Sequence, residues 1–221
     1  MRFALSIFVC FLLNVGFSQD YYTVNIQQFD EESGLLGRRA YSFCEDHEGF
    51  IWLGYKNGLQ RFDGTDFKTW SSADYPQLSF LTSLHVDQAG WIWMWNHEQH
   101  EFHFMNPSTE EIKSEEERFG NKFPDFQGDF KTLWFPSNKL ETDKSGKIYF
   151  LCPSPKRLIT FDTLNGFISV PLDKELQLDH LHLLHVTSIG DIWTAGGENT
   201  EILYHLNPKG DLIDSFIFPE Y

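Results

Sequence analysis

Cysteine, methionine and basic side chains are all scarce in this 221-residue chain. Three cysteines exclude a disulfide-dense scaffold. Seventeen Lys and Arg against 32 Asp and Glu leave a formal charge of −15. An acidic surface repels phosphate backbones, so nucleic acid is excluded as a partner, and a highly sulfated glycan would need a local basic patch. Long apolar runs are lacking too, apart from Phe3 to Leu13 near the N-terminus. That run is too short to span a bilayer, which takes roughly 20 apolar residues. With Arg2 before it and Gly16-Phe17-Ser18 after it, residues 1–18 read as a secretory signal peptide cut after Ser18. The expected product, residues 19–221, is periplasmic or secreted and has no membrane segment. Cys10 leaves with the signal. Cys44 and Cys152 fall in different sequence repeats and read as small buried hydrophobes rather than a disulfide.

Aromatics are plentiful, at 17% of the chain with 22 Phe, 8 Tyr and 7 Trp, a composition suited to strands. They recur in register. Asp46-His47-Glu48-Gly49-Phe50-Ile51-Trp52 returns as Asp87 to Trp93 with Gly90, as Asp143 to Tyr149 with Gly146, and as Thr187 to Trp193 with Gly190. The shared form is Asp-x-x-Gly-x-Ile-aromatic, with Thr in place of Asp in the fourth copy. A second element ends in Asp63, Asn106, Asp162 and Asn207, 14 to 17 residues after each repeat glycine. Successive repeat glycines lie 41, 56 and 44 residues apart, near the ~40–50 of a propeller blade. The Asp-x-x-Gly unit is a turn, with Asp bonding nearby amides and Gly accepting positive φ, so the repeat Asp reads as structural rather than as a ligand. Each copy holds four short strands and no helical periodicity. The expected fold is therefore all-β, a β-propeller of about four four-stranded blades at 38–71, 80–113, 132–171 and 180–218. A leading strand at 22–29 would belong to a blade beyond the fourth, so the ring is expected to be incomplete.

The first copy is the sharpest. Gly34-Leu35, then Asp46 to Gly54, then Asn57-Gly58-Leu59 and Arg61-Phe62-Asp63-Gly64 resemble the two-component regulator propeller repeat, although Tyr55 stands where that family has Thr. Later copies depart from it, with Trp95, Leu151 and Ala195 near the place of Gly54. The resemblance implies the periplasmic sensor region of a hybrid histidine kinase responsive to oligosaccharides. It also implies further domains downstream, or a homodimer, as partners. Nothing in the 221 residues has kinase motifs, so the chain is expected to be a non-catalytic N-terminal portion without a cofactor.

Propeller ligands meet the loops at one mouth of the channel. Those loops carry Tyr55, Lys56, Asn57, Trp95, Asn96, His97, Lys156, Arg157, Glu198 and Asn199, the aromatic and polar mixture that sugar recognition needs. His97, Glu101 and His103 would share one face of a strand, but they lack the spacing of a helical zinc site, and no metal is expected there or at His180 and His182. The insertion Ser114 to Lys131 reads as a packed Ω-type loop. Two alternatives remain at this point: a propeller enzyme acting on polysaccharide, and a truncated scaffold without a ligand.

Overall fold

A computed structural model of the chain describes residues 26–120, 140–153, 156–178, 184–197 and 201–218. The strands form four antiparallel sheets, each a simple meander. Blade 1 is β1 (Ser42–Glu45), β2 (Ile51–Tyr55), β3 (Gly58–Phe62) and β4 (Phe67–Ser71). Blade 2 is β5 (Leu81–Val86), β6 (Ile92–Asn96), β7 (Glu101–Met105) and β8 (Ile112–Ser114). Blade 3 is β9 (Glu141–Thr142), β10 (Ile148–Pro153), β11 (Lys156–Asp162) and β12 (Gly166–Pro171). Blade 4 is β13 (Leu184–Val186), β14 (Ile192–Gly196), β15 (Ile202–Leu206) and β16 (Leu212–Ile217). These four sheets are the expected β-propeller blades, with strands over 42–71, 81–114, 141–171 and 184–217.

Hydrogen bonds that close within seven residues explain the repeat. Asp46 Oδ1 accepts from the amides of Glu48 and Phe50, both at 3.0 Å, while its Oδ2 accepts from Trp52 Nε1 at 2.7 Å. Asp87 holds Ala89, Trp91 and Trp93 Nε1 at 3.0, 2.9 and 2.8 Å in the same way. In the third blade Asp143 takes the Tyr149 hydroxyl at 2.9 Å in place of an indole. The carboxylate thus satisfies the turn and the one polar atom of a buried aromatic together. Trp52 and Trp93 are fully buried, and an indole N–H left without an acceptor there would be costly. In blade 4 Thr187 Oγ1 accepts from the Asp191 amide at 3.1 Å and, among the described residues, from no indole. Trp193, lacking the carboxylate, stacks on His205 at 4.2 Å between centroids and stays partly exposed.

Alternation along each strand builds the core between blades. The aromatic face of blade 1, with Trp52 and Leu59, packs on the isoleucine face of blade 2, with Ile92, Met94 and Met105. Trp93 and Trp95 meet Ile148 and Phe150 in the next seam. Tyr149 and Leu151 meet Ile192 and Leu206 in the third. Gly54 shows why the repeat carries a glycine two residues after its tryptophan. A Cβ there would stand 2.6 Å from Ser42 Oγ and 2.9 Å from the Leu81 carbonyl oxygen, so the seam between blades 1 and 2 closes only over glycine.

Three expectations change. The leading strand does not form over residues 26–29. Asp30 and Ser33 make a side-chain-capped turn, and the Phe29 ring lies 4.9 and 5.5 Å from Phe62 and Phe67. Residues 22–25 and the signal segment 1–18 lie outside the described residues. The insertion after β8 begins as a helix, α1 (Glu115–Phe119), rather than as a loop. Its Ser114 and Glu117 form a capping box, a signature visible in the sequence as Ser-x-x-Glu. Arg118 and Phe119 then cover the seam between blades 2 and 3, with the Arg118 guanidinium 2.5 Å from Asp87 Oδ2 and 4.6 Å from the Trp91 ring centroid. Phe123, Phe126 and Phe130 lie outside the described residues. Finally, β7 starts at Glu101 and residues 97–100 form the hairpin turn, so His97, Glu101 and His103 do not share a strand face. His103 Nε2 instead pairs with Gln99 Oε1 at 3.2 Å.

Candidate functional site

The antiparallel register places the β2–β3 and β6–β7 hairpins at the same end of the blades as the β4–β5 connection. Phe80, in that connection, ties the two hairpins together through its backbone. Its amide donates to the Lys56 carbonyl at 2.8 Å, and its carbonyl accepts from the His97 amide at 3.0 Å. Its φ of +43° is unusual for an aromatic residue. The ring row that results runs across two blades: Tyr41 to Phe80 is 4.9 Å, Phe80 to His97 is 5.1 Å, and His97 to His100 is 5.8 Å. All four rings remain partly exposed. The Arg39 guanidinium stands 4.8 Å from the Tyr41 centroid and Lys56 Nζ 6.0 Å from that of Phe80. His97 Nδ1 and His100 Nδ1 are buried atoms that find no hydrogen-bond partner among the described residues. Burial is also the main cause that holds the His97 pKa below its ordinary value, followed by the neighbouring His100.

Tyr41 also begins a groove of about 400 Å³ along the first strands of blades 1 and 2 and the start of blade 3, reaching His85 and Glu141. The exposed ring of Phe43 forms part of its wall. Burial drives the Cys44 thiol up to about 12, with Asp46 adding to the effect, so the thiol is protonated at neutral pH. Burial likewise pushes His85 down to about 4, and its Nε2 is hydrogen-bonded to Thr142 Oγ1 at 2.6 Å. The groove therefore offers a protonated thiol, whereas the thiolate is the nucleophilic form, and a neutral imidazole.

The residues expected at the mouth divide sharply. Lys56, Asn57 and His97 do gather at the rim. Tyr55 and Trp95 are 2% and 1% exposed and belong to the packed interior, so neither can stack on a ligand. Trp95 occupies the place of Gly54 and packs in the seam between blades 2 and 3. Asn96 is fully buried and committed. Its Oδ1 accepts from the Glu98 and Gln99 amides at 2.9 Å, and its Nδ2 donates to the Gln77 carbonyl at 3.1 Å. Lys156 Nζ donates to the Lys174 and Leu176 carbonyls and fastens the connection between blades 3 and 4. Arg157 donates to Ser169 Oγ at 2.7 Å. Glu198 and Asn199, like His180 and His182, lie outside the described residues. Tyr41, Phe80, Arg39 and His100 were absent from the expected set. Phe80 and Tyr41 precede their blades and belong to no repeat motif, so the only signal for them was an aromatic just before each inner strand.

Residues 34–57 match the family described as two component regulator propeller. No protein of curated function matches the chain. Among solved structures, the chain is similar to the extracellular domain of BT3049 from B. thetaiotaomicron, assigned as a hybrid two component system. The TM-score is 0.60 at 17% identity, over 88% of this chain and 26% of that one. It is also similar to a streptogramin B lyase, with a TM-score of 0.56 at 13% identity, over 81% of this chain and 55% of that one. Virginiamycin B lyase from Staphylococcus aureus gives 0.54 at 12%, over 81% and 56%. The chain thus spans little more than half the length of the lyases and about a quarter of the sensor domain. At these identities the likeness is one of fold.

Proposed function

We propose that this propeller is a non-catalytic sensor module of an extracytoplasmic two-component signalling protein, and that it recognises an oligosaccharide at the rim of blades 1 and 2. The observation that carries the reading is the row Tyr41, Phe80 and His97, held by backbone hydrogen bonds from two hairpins and standing beside the groove. Aromatic rings stack on the apolar faces of pyranoses while polar groups around them bond the hydroxyls. The two component regulator repeat at residues 34–57 includes Lys56 and supports the signalling half of the reading. Export through the N-terminal segment, with cleavage after Ser18, belongs to the same proposal. Signalling would pass to further domains or to a second copy of the chain.

The enzymatic alternative, prompted by the fold likeness to lyases, draws no support from Cys44 as a nucleophile, since burial holds its thiol protonated. The test is a thermal-shift panel of oligosaccharides on the exported chain, run alongside chromatography of the same sugars. Stabilisation by at least one sugar without cleavage is expected. A flat panel, or cleavage products, would overturn the reading.

A further inference from the structure

The rim's chemistry narrows the class of ligand. The chain is strongly acidic, yet Arg39 and Lys56 are exposed and have no carboxylate partner among the described residues. Both stand over rings of the same row, Arg39 at Tyr41 and Lys56 at Phe80. At the far end, His97 and His100 each keep one ring nitrogen without a partner among the described residues. Three non-glycine residues described have positive φ, and two of them, Phe80 at +43° and His100 at +55°, belong to this row. Conformations of that kind cost energy and persist where the surrounding structure imposes them, and they cluster at binding and active sites. Two acidic side chains flank the far end of the row, the exposed Glu98 of the β6–β7 turn and the half-buried Glu101 at the start of β7. Arg38, beside Arg39, is already paired with Glu31 at 3.3 Å, whereas Arg39 and Lys56 have no such ion pair among the described residues.

We infer that the rim is a binding site for an acidic oligosaccharide, one bearing carboxylates on its sugar rings, with pyranose faces on Phe80 and His97 and carboxylates on Lys56 and Arg39. This rests on the carbohydrate-sensor reading and specifies its ligand. A neutral sugar would take hydrogen bonds from the two cations through its hydroxyls but no ion pair. A carboxylate-bearing one gains charge-assisted hydrogen bonds, which are stronger than neutral ones. In a protein that otherwise repels anions, a local pair of cations also rejects mismatched ligands, because charge arrangement gives specificity more than raw affinity.

The experiment is titration calorimetry on the exported chain with tetragalacturonate, alginate tetramers and chondroitin tetrasaccharide. The fully methyl-esterified tetragalacturonate, which keeps the rings and removes the charge, and neutral galacto- and xylo-tetraoses serve as comparison. Binding to at least one acidic tetramer is expected, weakened about tenfold by Lys56→Glu or Arg39→Glu. Phe80→Asn, which removes the ring while tolerating positive φ, should weaken it as well. Circular dichroism and thermal melts of the three variants should match the parent. Acidic binding that all three well-folded variants leave unchanged overturns the assignment to this rim. Binding of neutral or esterified sugars as tightly as acidic ones overturns the acidic class while leaving the carbohydrate reading standing. No binding across the panel overturns both.

Discussion

Asp87 should be the most costly of the repeat carboxylates to remove, and the reason lies outside the repeat. It makes the same bonds as Asp46, to two turn amides and an indole, and adds an ion pair with Arg118 from α1. Both side chains of that pair are nearly buried, at 11% and 10% exposure. Asp46→Ala strands a buried indole N–H, which costs roughly 1–3 kcal/mol. Asp87→Ala strands Trp93 Nε1 in the same way and also leaves a buried guanidinium without its counterion, for a combined loss of about 3–5 kcal/mol. The predicted difference between the two substitutions is therefore about 2 kcal/mol, assigned to Arg118. Urea unfolding followed by tryptophan fluorescence, with linear extrapolation to water, measures both. In an Arg118→Met background the cost of Asp87→Ala should fall to that of Asp46→Ala, because the stranded charge is gone while the turn and indole bonds remain to be lost. Equal costs for the two substitutions in the parent, or an unchanged Asp87→Ala cost in the Arg118→Met background, would refute the assignment.

Gly54→Ala places a Cβ against Ser42 Oγ and the Leu81 carbonyl, and this overpacking should cost about 1–3 kcal/mol, read as a lower urea midpoint with an unchanged slope. His85 and Glu115 should bend the pH dependence of stability in opposite directions. His85, lowered from 6.5 to about 4 chiefly by burial, binds fewer protons folded than unfolded between those values. Its contribution is present above pH 6.5 and is lost as the pH falls towards 4, so His85→Gln should flatten the acid limb of thermal melts. Glu115, raised from 4.5 to about 7 by burial and by the neighbouring Glu101, holds a proton that the unfolded chain has released. Its contribution is lost as the pH rises through that window, so Glu115→Gln should raise the melting temperature more at pH 8 than at pH 5. Cys44, with its thiol pushed up to about 12, should resist iodoacetamide in the folded protein at pH 8 and react on unfolding, as peptide mass mapping would show; rapid labelling of the native protein would contradict its protonated state.

How much was legible in the sequence follows from how far each interaction reaches along the chain. The Asp-x-x-Gly-x-Ile-aromatic turn closes its hydrogen bonds within seven residues, so four copies were visible as a pattern, and with them the blade count, the strand order and the structural role of Asp46, Asp87 and Asp143. The capping box at Ser114 and Glu117 is equally local, yet the expectation over that segment was a packed loop. Burial was not, because which face of a strand is covered depends on the neighbouring blade. Tyr55 and Trp95 have the composition of binding aromatics, yet both are buried, Trp95 in the seam between blades 2 and 3, and Asn96 spends its side chain holding the turn that displays His97.

The sequence by itself determined an acidic all-β chain and a repeated blade whose turn satisfies its own buried indole, since each of these rests on local hydrogen bonding or on composition. Only the tertiary structure decided that Gly54 is a seam contact, that Arg118 reaches back 31 residues to Asp87, and that Phe80 joins two hairpins into one rim. These are contacts between residues far apart in the chain, and no local pattern encodes them.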